Sequence, residues 1–70
     1  MQVKIFERDT WDGDGWNLKK EFGTEEEPTE VLSITECAGN YIVILKNEDY
    51  FGKLIYVYAV DGHKIEIIPM

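Results

Sequence analysis

Along most of this chain apolar and polar residues alternate with a period of two, and turn-forming residues interrupt the alternation roughly every eight to twelve residues. A helix would need apolar residues three and four apart, so the pattern constrains the chain to an all-β fold. About six short antiparallel strands are expected, at 2–8, 16–22, 31–37, 40–46, 53–60 and 63–68. They can close as a small barrel or stack as a two-sheet sandwich. One segment has a competing reading. Residues 28–38 could form a short helix, making the fold α+β, because Pro28 suits a first helical position and Gly39 a C-terminal cap. The β-branched Thr29, Val31, Ile34 and Thr35 favour a strand. At 70 residues the chain has room for a single small domain.

Turn chemistry assigns faces to these strands. Asp61-Gly62 is a two-residue type I′ hairpin signal, since both central positions of that turn need φ > 0. Counting outward from it pairs Tyr58 with Ile65 and Tyr56 with Ile67 toward the core, and turns Ile55 and Val57 to the face carrying Lys64 and Glu66. The same count around Ala38-Gly39 sets Glu36 opposite Tyr41, Ile34 opposite Val43 and Leu32 opposite Leu45. Ser33, Thr35, Ile42 and Ile44 then lie on the reverse side. Ile42, Ile44, Ile55 and Val57 are therefore surplus to a single core, and on neighbouring strands they would form one patch, a candidate protein-binding surface. Residues 2–8 turn Val3 and Ile5 inward, and 16–22 place Trp16, Leu18 and Phe22 on one face.

Charge narrows the partners. Fourteen acidic residues face seven basic ones, a formal net charge of −7. The acidic surface expected from Glu7, Asp9, Asp12, Asp14, Glu25, Glu26 and Glu27 repels phosphate, which argues against direct binding to nucleic acid or to an anionic membrane and suits a basic protein partner. The longest uncharged apolar stretch, 54–60, falls far short of the ~20 residues of a membrane-spanning helix. The first residues alternate as a strand would, without the basic-then-apolar order of a secretory signal. A single cysteine, Cys37, forms no internal disulfide, and a reducing cytoplasm is the expected location.

No constellation for catalysis emerges. Ser33, His63 and an aspartate lack the nucleophile-elbow context of a triad. His63, just after the Asp61-Gly62 turn, is expected to be solvated, and Cys37 has no cation nearby in sequence to activate it and reads as a small hydrophobe. Asp12 and Asp14 sit in a glycine-containing loop, but counting from Asp12 puts Trp16 where an EF-hand has its third oxygen ligand. Neither metal nor cofactor is expected, and no enzyme activity. Trp11 and Trp16 are aromatic candidates in an acidic setting that would suit Pro/Arg-rich peptides. The expectation is thus a small acidic, non-enzymatic protein-binding module, with inhibition of its partner as one role. Its alternatives are a nucleic-acid mimic that places carboxylates in a basic groove and an aromatic-groove peptide reader. The outward patch and the edge at 64–68 also suggest a homodimer.

Overall fold

The computed structural model describes residues 1–9, 11, 15–47 and 52–69. Its elements are β1 (Gln2–Arg8), β2 (Trp16–Phe22), β3 (Val31–Cys37), β4 (Asn40–Asn47), β5 (Gly52–Ala59) and β6 (His63–Ile68). They form two three-stranded antiparallel sheets, β2-β1-β6 and β3-β4-β5. The fold is all-β. The sheets do not close into a barrel, which leaves the two-sheet sandwich. The helix reading of 28–38 falls, because Val31–Cys37 pairs along β4 and its β-branched side chains fit that pleated surface.

The two turn signals behave differently. Ala38 and Gly39 both adopt positive φ, 52° and 79°, and make the tight primed turn that keeps β3 and β4 paired in the expected register, Glu36 with Tyr41 and Ile34 with Val43. At Asp61-Gly62 only the glycine is left-handed, with φ 88°. The His63 N–H donates to the Val60 carbonyl at 3.4 Å, closing a turn of type II character, which splays its flanking strands. The expected pairing of Tyr58 with Ile65 and Tyr56 with Ile67 therefore does not form. β6 leaves β5 and pairs instead with β1, Ile65 opposite Ile5 and Ile67 opposite Val3. The turn is a corner tied to both sheets: the Arg8 N–H donates to the Gly62 carbonyl at 3.1 Å, and the Val60 N–H to the Gly39 carbonyl at 2.9 Å.

Two bulges correct the facing count. Ile5 opposes Lys20 while Phe6 opposes Leu18, so Lys19 is an extra residue on β2. The extra residue flips the alternation. Trp16 and Leu18 turn to the outside of the first sheet, opposite Arg8 and Phe6, while Phe22 alone stays inside and is 2% exposed. On β3, Leu32 is the extra residue, and Val31 takes the place opposite Leu45 that simple counting assigns to Leu32.

The core between the sheets consists of Val3, Ile5, Phe22, Val31, Val43 and Leu45, with Ile34, Tyr56, Tyr58 and Ile65 packed against it. Ile67, expected inside, is half exposed on the edge strand β6. The Phe22 and Tyr56 rings meet at 5.3 Å, and the Lys20 ammonium lies over both, at 5.9 and 5.8 Å, closing that flank with its aliphatic stem. A compact monomer of 8.1 kDa exposes about 4,500 Å². This chain exposes 5188 Å².

Candidate docking face on the second sheet

The outer side of β3-β4-β5 follows from its register. Residues directly opposite in an antiparallel pair project to the same side. Ile42 pairs with Val57 and Ile44 with Ile55, so the four aliphatics singled out in the sequence stand in two adjacent cross-strand rows. Ser33 and Thr35 continue these rows on β3, opposite Ile44 and Ile42. Ile55 and Val57 are 61% and 58% exposed, while the central-strand Ile42 and Ile44 are half-buried by their neighbours. Lys46 opposite Lys53 bounds one end, and Cys37, Asn40 and Ala59 bound the other. The Lys46 N–H donates to the Glu30 carbonyl at 3.0 Å, which sets Glu30 opposite Lys46, so charge on this face gathers at one end, Glu30 with Lys46 and Lys53, and the rows between that end and Asn40 are uncharged. Cys37 is exposed here, not buried as a small hydrophobe would be.

Several of the acidic candidates have partners of their own. The Lys19 ammonium holds Glu7 at 3.0 Å, and Asp9 Oδ1 accepts the Trp11 backbone N–H at 2.8 Å. In the 23–30 loop, Thr24 Oγ1 accepts the Glu27 N–H at 3.2 Å and donates to Glu21 at 3.0 Å, while Thr29 donates to the Glu27 carboxylate at 3.0 Å. Glu27 is thereby part of the loop's own bonding. Glu25 and Glu26 are exposed, and Asp12 and Asp14 lie outside the described residues.

The two aromatic candidates are both exposed. Trp11 is 95% exposed, and Trp16 stands on the outside of the first sheet with the Arg8 guanidinium 5.6 Å from its ring centre. Beside it Phe6 pairs with Leu18 and lies under the Lys64 ammonium at 5.8 Å. This second apolar strip, capped by cations, was hidden from sequence reading by the bulge at Lys19. A shallow cleft of about 380 Å³ beside β2 is lined by Leu18, Lys19, Lys20, Glu21, Glu26 and Glu27, with neither a nucleophile nor a histidine in its walls.

At the corner, His63 is half-buried, contrary to expectation. Its Nδ1 lies 2.8 Å from the Ala59 carbonyl, which only accepts, so Nδ1 carries the proton and donates. The ring packs on Tyr58 at 5.5 Å. Burial, and then the neighbouring Tyr56, push the Tyr58 hydroxyl above its ordinary pKa. Among the described residues no three side chains are placed to hold a metal ion, and no helix is long and apolar enough to cross a membrane. No protein-family model, curated protein or solved structure matches this chain.

Proposed function

We propose that the chain is a non-enzymatic protein-binding module that docks a partner protein on the outer face of β3-β4-β5. The observation that carries this reading is the pairing of Ile42 with Val57 and Ile44 with Ile55 in two exposed, uncharged rows on the outer face. Contiguous apolar surface of this kind marks interaction sites in small proteins. Its occupant is a protein of net positive charge with an apolar contact patch. The −7 charge steers such a partner toward the chain, and the patch then displaces water from the aliphatics. A module of this kind acts by covering part of its partner, which is how a small inhibitor works. The pairing of Glu7 with Lys19 and of Asp9 with the Trp11 backbone gives the mimic reading no support, and the pairing of Trp16 with the Arg8 guanidinium gives none to the peptide reader.

The test pairs capture with titration. A partner captured from the producing cell's extract is purified and titrated against the wild-type chain and against Ile42→Thr/Ile44→Thr, which keeps β-branched residues in the central strand. The double variant should keep its circular dichroism and bind at least about 30-fold more weakly. Equal binding by both chains, or no partner at all, overturns the reading.

A further inference from the structure

Among the described residues, the outermost strands of the two sheets are β2 and β6, and β3 and β5. Natural sheets blunt such edges with charge, bulges, proline or shortness. β2 has its bulge and the charged run Lys19, Lys20, Glu21. β6 has six residues, carries Lys64 and Glu66 and is followed by Pro69, so the edge that looked most open in the sequence is guarded. β3 is bulged at Leu32 and carries Glu36. β5 has the fewest of these devices. Its eight residues pair with β4 without a register shift, it contains no proline, and its single charge, Lys53, lies near one end.

One hydrogen bond fixes which backbone groups of β5 are unpaired. Because the Val60 N–H donates to the Gly39 carbonyl, Ala59 and Asn40 form a non-hydrogen-bonded pair. The backbone groups of Leu54, Tyr56 and Tyr58 therefore point to β4. Those of Lys53, Ile55, Val57 and Ala59 point to the open edge.

We propose that a second copy of this chain pairs antiparallel along β5, about a twofold axis at Tyr56, joining the two outer sheets into one continuous six-stranded sheet. This centre places Ile55 opposite Val57 of the second copy and Lys53 opposite its Ala59. All the edge-facing groups are then used, in about eight backbone hydrogen bonds. An axis at Ile55 would instead carry Ala59 beyond the end of the partner strand. Lysine never meets lysine, and because the axis is perpendicular to the sheet, the two aliphatic patches merge on one side. This inference goes beyond the docking reading and does not depend on it, since the pair is joined by β5 backbone bonds and by Ile55 against Val57 of the second copy, without Ile42 or Ile44.

Sedimentation equilibrium on the full chain, with a distance measurement between spin labels on the single exposed Cys37, tests it. The mass should double at micromolar concentration, and added salt should strengthen association by screening two charges of −7. Strand spacing and rise place the two Cys37 positions about 30 Å apart in the β5-paired dimer, against about 20 Å if the apolar faces stacked on each other. Val57→Pro removes an edge-facing N–H, leaves the β4 ladder intact and should weaken the dimer at least 30-fold. Ile55→Lys, which keeps every backbone group, should do the same. Ile42→Thr/Ile44→Thr should stay within about threefold of wild type. A mass of 8.1 kDa at every concentration, a label distance near 20 Å or undiminished association of both β5 variants overturns the proposal.

Discussion

At the scale of single residues, Tyr58 has the most to say about conditions. Its hydroxyl sits between the core and the corner, with the Tyr56 ring stacked 6.4 Å away and His63 on its other side. Burial and Tyr56 raise its pKa above the ordinary 10.0. The native state therefore holds this proton at pH values where the unfolded chain has released it. The resulting stabilisation is complete below pH 10 and disappears as the pH rises through the raised native value. Urea unfolding across pH 9 to 12 should show stability falling from about pH 10 upward, and Tyr58→Phe should flatten that fall. An unchanged slope in Tyr58→Phe would mean that the phenol ionises equally in both states. Counting outward from Asp61-Gly62 put Tyr58 and Tyr56 on one core-facing side, but the half-buried His63 packed on Tyr58 was not legible there.

At the scale of elements, strand positions were legible because period-two alternation is a local property, and all six appear where the alternation places them. Register was legible only where a turn imposed it. Ala38-Gly39, a weak signal by composition, forms the primed turn, whereas at the stronger Asp61-Gly62 only the glycine takes positive φ, and β6 pairs with β1 instead of returning along β5. The bulges at Lys19 and Leu32 left no mark in the pattern, since an extra residue shows only against its partner strand. This is why Ile42, Ile44, Ile55 and Val57 were found from sequence while the Phe6, Leu18 and Trp16 strip was not. The β3–β4 turn also stores strain, because Ala38 has a Cβ at φ 52°. Ala38→Asn, which supplies the preferred Asn-Gly pair, should raise stability by about 0.5–1 kcal/mol in thermal unfolding. A loss instead would show that Ala38 is held in place by something other than turn geometry.

At the scale of the whole molecule, a thin core and a broad apolar exterior are two sides of one fact. A 70-residue sandwich has one interior layer, and its described core holds six buried side chains, so aliphatics on the outer side of β4 and β5 add little to folding. The account as a whole depends on those side chains being dispensable to the isolated chain. Urea unfolding at protein concentrations low enough to keep the chain monomeric decides this most directly, comparing Ile55→Thr/Val57→Thr with Leu45→Ala. Leu45 is 1% exposed, and its truncation should cost about 2–4 kcal/mol. The double threonine variant, at positions more than half exposed, should cost less than about 1 kcal/mol. A double variant as destabilised as Leu45→Ala would place Ile55 and Val57 in the core and contradict the reading of that face as a docking surface.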